Sequence, residues 1–437
     1  MTKPRHLILN LNPIPGGIYA GAWRTGDRPA DSFIKIEHFV ELAKIAERGK
    51  LDALFLADTG GAFSAGTEYR PFRPLDPTVV LSYVAAATTR LGLISTVSSS
   101  YDTPYNLARR ILSLDHVSKG RAAWNIVVTA GDDSARNFSL ERALPKEQRY
   151  ARGREFLEIV KALWLSWEPD GVLADPVSGR YIDPSKAHAI NFAGEHFKVE
   201  GPLVTPRSVQ GSPVIVQAGG SEGGTDLAGR FAHAVYSTQP EIEGARRYRT
   251  ELRERATRYG RNPDTIKLLP GLITIVGSTE REAKERSEYL LSLIPDRAGI
   301  NLLSEFVRLP KEVLTELDSE LPWELIPEES LQGVSHTPTL LRRAKEHKLT
   351  IRQLIAQMSA VTVHTTAVGS AEQIADKLQH WFETGAVDGF NVMPAELPKG
   401  ISDFVDQVLP ILRQRGLFRE EYETETLRGH YGLGEDD

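Results

Sequence analysis

The chain has 437 residues, of which 41% are hydrophobic and 25% are charged, a composition typical of a globular protein. Its net charge of -6, without a basic run, argues against nucleic acid or an anionic membrane as a partner. It has no cysteine, which excludes disulfides, thiolate metal ligands and a cysteine nucleophile, and no stretch near the roughly 18 apolar residues of a membrane span, which favours a cytoplasmic protein.

Apolar segments that predict β-strands alternate along the chain with segments whose apolar residues have helical spacing. The predicted strands are His6–Asn12, Leu51–Asp58, Leu91–Ser99, Arg121–Thr129, Val214–Ala218, Ala234–Thr238, Ile266–Val276 and Gly389–Pro394. The predicted helices include Phe33–Gly49, Asp76–Thr89, Pro104–Val117, Lys146–Trp167 and Ser370–Thr384. Strands of this kind indicate a parallel sheet covered by helices, and eight βα units favour a closed (β/α)8 TIM barrel. An open doubly wound sheet is the alternative.

Two long segments interrupt this pattern. Glu168–Pro206 is polar and broken by proline and glycine, and Pro295–Thr362 contains several helical patterns and the run LPWELIPE. We expect a single barrel domain over 1–437, with both segments inserted in βα loops as walls or lids over a substrate pocket. The tail Gly416–Asp437 carries enough apolar side chains to pack, and a neighbouring subunit of a homodimer or homotetramer is the partner we expect for it.

The segment PVIVQAGGSEGG at Pro213–Gly224 predicts a buried strand, a glycine turn and a helix that Ser221 caps. Glycines let the backbone approach a ligand, and the N–H groups at the start of the helix attract an anion. Gly220 and Ser221 are therefore candidate phosphate-binding residues. The segment matches neither GxGxxG nor GxxxxGK[ST], and a βα loop without a ligand is the alternative.

Polar side chains stand at the carboxyl ends of the predicted strands, where a barrel has its active site. Asp58 ends the second strand, Thr96 lies near the end of the third, and Asn125 lies within the fourth. These residues include no nucleophile–base pair, and the histidines lack metal-binding spacing, so no metal site is expected. Such a site is typical of a protein whose cofactor supplies the chemistry.

Eight motifs occur in order along nearly the whole chain. They are LDALFLAD at Leu51–Asp58, RAAWNIVVT at Arg121–Thr129, SARNF at Ser134–Phe138, QRYARGREF at Gln148–Phe156, DPSKAHAINFAGEHFKVEGPL at Asp183–Leu203, QGSPVIVQAGGSEGG at Gln210–Gly224, DGFNVMP at Asp388–Pro394 and GLFREEYETETLRGHYGL at Gly416–Leu433. In this set the chain resembles the flavin-dependent, luciferase-like monooxygenases, specifically their two-component branch.

The resemblance implies a barrel that uses FMN as FMNH2, which a separate NAD(P)H-dependent flavin reductase supplies. It further implies that the reduced flavin reacts with O2 to a C4a-peroxyflavin, which inserts one oxygen atom into a small organic substrate. A deazaflavin-dependent dehydrogenase or reductase of the same barrel superfamily is the alternative, and a ligand-storage barrel without turnover is another.

The resemblance also implies roles for single residues. Asp58 and Thr96 correspond to contacts of the isoalloxazine, and Tyr150 and Ser221 to contacts of the phosphate. Asn125 is expected beside the ring, and it is a candidate catalytic residue together with Asn137. Lys146 stands where family members often have histidine; lysine can pair with a phosphate as a point charge. The identity of the substrate does not follow from the sequence.

Overall fold

The computed structural model describes residues 6–61, 67–331, 336–359 and 364–434. At its centre is a closed ring of parallel strands, in which each strand pairs with the next and the last pairs with the first. The strands are β1 Ile8–Leu11, β2 Ala53–Leu56, β3 Gly92–Ser98, β4 Ala122–Val127, β5 Val214–Ala218, β6 Ala234–Ser237, β7 Lys267–Gly277 and β8 Gly389–Pro394. The predicted (β/α)8 barrel is confirmed, and the pairing of Ile8 with Gly389 excludes an open sheet.

Helices surround the ring, and local capping residues set where several of them begin. Asp76 accepts hydrogen bonds from the backbone N–H groups of Thr78 and Val79, and Ser370 forms a capping box with Gln373. No helix of the described residues is long and apolar enough to cross a membrane. The helices are Ile36–Arg48, Pro77–Ala87, Pro104–Ser118, Asp132–Asn137, Lys146–Trp164, Glu222–Phe231, Ile242–Arg258, Glu280–Ser292, Asp296–Val307, His336–Glu346, Ile351–Ser359, Ala371–Glu383, Lys399–Asp403, Leu409–Gln414 and Leu427–His430.

Alternation along the strands separates two cores. Leu9 and Leu54 point outward into the layer between strands and helices, whereas Phe55 and Ile94 point into the barrel. Towards the carboxyl ends of the strands the inward positions become polar, as at Thr96 on β3. Apolar side chains therefore fill the amino-terminal half of the barrel, and the carboxyl end is left for a polar site.

The carboxyl-terminal segment, described as far as residue 434, closes the amino-terminal end of the barrel. Tyr431 enters the interior and donates a hydrogen bond of 3.0 Å to Oδ1 of Asn10. Arg419 pairs with the buried carboxylate of Asp52, and the hydroxyl of Tyr422 donates to the carbonyl of Leu51 at 2.6 Å. The apolar tail thus packs on its own barrel, which corrects the expectation that it packs on a neighbouring subunit.

The two predicted insertions lie at opposite ends of the barrel. Segment 168–206 follows the helix Lys146–Trp164 and precedes β5, so it lies at the amino-terminal end of a strand, where it forms two short hairpins. The expectation that it leaves a βα loop and walls the pocket is wrong. Segment 295–362 comes after β7 and the helix Glu280–Ser292, and Leu303, Leu321 and Leu354 belong to a hydrophobic core of its own.

The strand Thr365–Ser370 was not predicted, and neither were the short hairpin strands of segment 168–206. Thr365–Ser370 follows the second insertion and pairs in parallel with the carboxyl-terminal half of β7, with Leu272 opposite Thr365. It extends the sheet beyond the ring and places His364, the residue before it, beside the carboxyl end of β6.

Candidate active site

A cavity of about 780 Å³ opens at the carboxyl ends of the barrel strands. Its walls come from β2 to β6 and β8, from the loops after β1, β2 and β4, and from the helix Asp296–Val307. The polar and charged groups in the lining are Asn12, Asp58, Thr59, Arg70, Arg73, Thr96, Asn125, Asp133, Asn137 and Tyr236. Apolar lining residues include Ile14, Phe55, Val127, Leu302 and Met393. A space of this size, with mainly apolar walls and a few convergent polar groups, is typical of a cofactor or substrate site.

Thr96 and Asn125 form a buried pair at the base of this cavity. They lie opposite each other in the register of β3 and β4, and Nδ2 of Asn125 donates to Oγ1 of Thr96 at 3.0 Å. Among the described residues, Oδ1 of Asn125 and Oδ1 of Asn12 are buried acceptors without a hydrogen-bond partner. Because buried polar groups are nearly always paired, these two acceptors indicate a bound molecule that donates hydrogen bonds.

Asp58 lies just after β2, in the cavity wall, as its position at a strand end predicts. Burial raises the pKa of its carboxyl group and the nearby charge of Asp76 adds to this, whereas a backbone hydrogen bond from Thr59 and the charge of Arg73 oppose it. The carboxyl group of Asp58 therefore keeps its proton to a higher pH than that of a free aspartate.

Tyr150 and Ser221 meet at the end of β5, although they are 71 positions apart. Their hydroxyl oxygens are 2.9 Å apart, and Ser221 also accepts from the backbone N–H of Gly224 at 3.3 Å. Gly219, with φ +144°, makes the turn, and a Cβ atom on Gly223 would lie 3.0 Å from the Tyr150 ring. The predicted strand, glycine turn and capped helix are all present here.

Lys146 and Gly220 complete this group at the rim. Lys146 begins the helix that carries Tyr150 and precedes it by one turn, on the same helical face. Both Lys146 and Gly220 are exposed. Neither they nor Tyr150 and Ser221 line the cavity itself, but Ala218, the last residue of β5, does.

Asn137 lies on a short helix, Asp132–Asn137, that the sequence did not predict. Its Nδ2 donates to the carbonyl of Gly60 at 3.0 Å, which ties the loop after β4 to the loop after β2. Asp133 of the same helix lines the cavity, whereas Asp132 accepts from the backbone of Ala143.

Several cavity residues were missed by the sequence reasoning. Tyr236 points inward from β6, and its hydroxyl lies 2.6 Å from Nε2 of His364. Burial raises the pKa of Tyr236 well above its usual range, so the hydroxyl keeps its proton at neutral pH. The inward position on a predicted strand could have identified Tyr236, whereas Arg70 and Arg73 come from a loop without periodicity.

The second insertion reaches the cavity through Leu302 of the helix Asp296–Val307. Trp323, the tryptophan of the run LPWELIPE, does not line the cavity. Trp323 packs instead against the insertion's own core, with Nζ of Lys345 5.6 Å from its ring centre.

The sequence matches the family of luciferase-like monooxygenases over residues 11–388. The chain belongs to this family. It is 41% identical over 434 residues to N-acetyl-S-(2-succino)cysteine monooxygenase of Bacillus subtilis (strain 168), which covers 99% of this chain and 98% of that protein. It is 38% identical over 428 residues to nitrilotriacetate monooxygenase component A of Aminobacter aminovorans, covering 95% and 94%.

The fold of this chain is also similar to that of a solved structure. Riboflavin lyase, determined with modified FMN and riboflavin, superimposes with a TM-score of 0.83 at 30% identity, over 98% of this chain and 96% of that one. The family and the barrel are thus shown by sequence and by structure, and the relatives include the two-component monooxygenases that the motifs indicated.

Proposed function

We propose that this luciferase-like monooxygenase is the oxygenase component of a two-component system. In this proposal it binds FMNH2 from a separate NAD(P)H-dependent flavin reductase and uses O2 to insert one oxygen atom into a small organic substrate. The observation that carries the proposal is the cavity at the carboxyl end of the barrel, with buried unpaired amide acceptors and no nucleophile–base pair among the described residues. When bound, the reduced flavin supplies the electrons with which O2 is activated.

The residues of the cavity suit the parts of such a cofactor. Asn12 and Asn125 offer acceptors for the N–H edge of an isoalloxazine, and Thr96 fixes the orientation of Asn125. At the rim, Tyr150, Ser221 and the backbone at Gly220 present donors to a phosphate, with Lys146 one helical turn from Tyr150.

Other cavity groups would exclude water and hold a proton. Phe55, Val127 and Leu302 give the cavity apolar walls on three sides, which limits water around the reacting atoms. Tyr236 holds its proton at the phenol oxygen, within hydrogen-bond distance of His364. This pair is the candidate for delivering a proton during turnover.

The decisive experiment supplies FMN, NADH and a flavin reductase to the protein together with a panel of organic acids, amines and sulfides. We expect a product that is one oxygen atom heavier, with the label of ¹⁸O2 in the new bond. An absence of labelled product throughout the panel, together with no measurable affinity for FMNH2 under argon, would reject the proposal.

The deazaflavin-dependent alternative is not favoured, because both sequence relatives described above are named monooxygenases. Hydride transfer by this protein from a reduced deazaflavin, without O2, would support this alternative. We also predict a homodimer or homotetramer, which light scattering of the purified protein would test. The location that we predict is the cytoplasm.

A further inference from the structure

Two arginines lie side by side in the wall of the cavity, on the loop that follows β2. Arg70 and Arg73 both line it, and each immediately precedes a proline in the run RPFRP. A residue before proline favours an extended backbone, and proline itself fixes φ, so this loop loses little entropy on ligand binding. All five residues of this run line the cavity, and the ring of Phe72 between the arginines is 47% exposed.

Neither guanidinium forms an ion pair among the described residues, although the charge of Asp58 acts on Arg73 from beyond ion-pair distance. The hydrogen bonds and ion pairs of the described residues include none from Arg70 or Arg73, and Nε of Arg73 is buried without a partner. Burial lowers the pKa of Arg70 to about 10, and the charge of Arg73 contributes to this. Both groups therefore stay charged at neutral pH while repelling each other.

Elsewhere the chain pairs its buried arginines. Arg121 makes five hydrogen bonds, to the hydroxyl of Thr88 and to four backbone carbonyl groups. Arg419 forms an ion pair with the buried Asp52. An unpaired charge that is shielded from water is costly, so the contrast with Arg70 and Arg73 points to an anion that completes the site.

The anion is not expected to be the flavin phosphate. The phosphate group proposed above binds at Ser221 and Tyr150, at the end of β5, whereas the arginines follow β2, three strands away around the ring. Asp133, on the helix Asp132–Asn137, also lines the cavity and would repel an anion from its side. The charged end of a substrate is therefore directed to the arginines, which leaves its other end free to approach the flavin.

We propose that Arg70 and Arg73 bind the carboxylates of the substrate, which is a small organic acid with at least two carboxylate groups. This inference rests on the proposed function. A planar guanidinium binds a carboxylate through two parallel N–H···O bonds, so two adjacent arginines select a dicarboxylate or tricarboxylate over a neutral compound of the same shape. Both arginines lie on the loop after β2, outside the two insertions.

The test measures binding directly, without NADH, reductase or turnover. The protein with oxidised FMN is titrated calorimetrically with nitrilotriacetate, with N-acetyl-S-(2-succino)cysteine and with the methyl esters of both. We expect at least one acid to bind and its ester to bind at least roughly tenfold more weakly. Arg70→Ala and Arg73→Ala should each raise the Kd of the acid roughly ten- to hundredfold, because each removes charged hydrogen bonds. Arg73→Lys, which keeps the charge but not the paired geometry, should lose less.

Arg297→Ala is the matched control, since Arg297 is an exposed arginine of the helix Asp296–Val307 and lies outside the cavity lining. Its titration should equal that of the unchanged protein. Affinity for FMN and for riboflavin is measured in every variant, and both should be unaltered. Where an alanine variant does not fold, comparison of the lysine and glutamine variants at the same position decides.

Three results would overturn the inference. They are binding of neither acid, equal binding of acid and ester, and a loss of FMN affinity without a loss of riboflavin affinity in the arginine variants. The last would assign the arginines to the flavin phosphate. Each leaves the proposed function standing if labelled oxygen still enters an uncharged substrate. Conversely, acid binding that depends on Arg70 and Arg73, together with no labelled product and no measurable affinity for FMNH2, would reject the proposed function alone.

Discussion

Asn125 and Thr96 show at the scale of single residues how the barrel prepares a polar site in a dry interior. Each is 2% exposed, and each occupies an inward position near the end of its strand, where the hydrogen bond between them fixes the amide. The amide oxygen that remains unpaired is thus held in one direction. A fixed, desolvated acceptor binds a donor with little further ordering, which is the physical basis of preorganisation.

Replacing Thr96 by valine tests this arrangement. The Nδ2 group of Asn125 would then be a buried donor without a partner, so we expect a loss of ~1–3 kcal/mol in the free energy of unfolding. Rotation of the amide should also weaken FMN binding by roughly tenfold. Thr96→Ser keeps the hydroxyl and serves as the control. Unchanged FMN affinity in the valine variant, measured by fluorescence quenching, would remove Thr96 from the flavin site.

Tyr150 and Ser221 can be separated by a second prediction. Tyr150→Phe and Ser221→Ala should each raise the Kd for FMNH2 roughly ten- to hundredfold, with turnover at saturating flavin largely retained. Only Ser221→Ala should also destabilise the protein, by ~1 kcal/mol, because Ser221 caps the helix Glu222–Phe231. Anaerobic titrations with FMNH2 and reduced riboflavin provide the comparison; equal losses for both flavins would contradict a phosphate contact.

At the scale of elements, the strands were the easiest part to predict and the connections the hardest. Val214–Ala218 and Gly389–Pro394 have the bounds that their apolar runs indicated. Thr365–Ser370 was missed because it pairs only with the carboxyl-terminal half of β7 and lacks a continuous apolar run. Site residues follow the same rule: Thr96 and Asn125 lie at strand ends and were found, whereas Arg70, Arg73 and His364 depend on how loops and later elements close over the barrel.

The second insertion yields a prediction about coupling. Leu302 is its contact with the cavity, whereas Trp323 packs in the insertion's own core. If the proposed function holds, Leu302→Ala should admit water, so that H2O2 release per NADH rises and oxygenated product falls. Trp323 is only partly buried, so Trp323→Ala should lower the free energy of unfolding by less than the ~3–5 kcal/mol of a fully buried tryptophan. Its effect on the ratio of H2O2 to product should be smaller than that of Leu302→Ala. A ratio unchanged in Leu302→Ala would separate the insertion from the chemistry.

At the scale of the whole molecule, the carboxyl-terminal segment ties the two ends of the chain to one face of the barrel. Leu427 and Tyr431 fill the interior that the short strands leave open, beside Ile8 near the amino terminus. His430 fixes the same segment from outside: Nδ1 lies 2.7 Å from Oγ1 of Thr424, and Nε2 lies 2.8 Å from the carbonyl oxygen of Arg90. A carbonyl can only accept, so Nε2 carries the proton and the neutral ring satisfies both contacts.

His430 therefore predicts how stability depends on pH. Burial lowers its pKa from 6.5 to about 4, with nearby arginine charges adding to this effect. A histidine whose pKa is depressed by folding stabilises the folded state above pH 6.5, and this contribution is lost as the pH falls towards 4. A shift of this size corresponds to ~3 kcal/mol. The buried carboxyl of Asp115, whose pKa is raised to about 6, acts in the opposite direction over part of the same range.

The measurement is therefore a comparison of the unfolding free energies of the unchanged protein and a variant at each pH. In the variant His430→Gln, the glutamine can donate to the Arg90 carbonyl and accept from Thr424, and it does not titrate. Between pH 6.5 and pH 4 the unchanged protein should therefore lose more unfolding free energy than His430→Gln does. Parallel urea-unfolding curves for His430→Gln across this range would show that the tail docks without a buried neutral histidine.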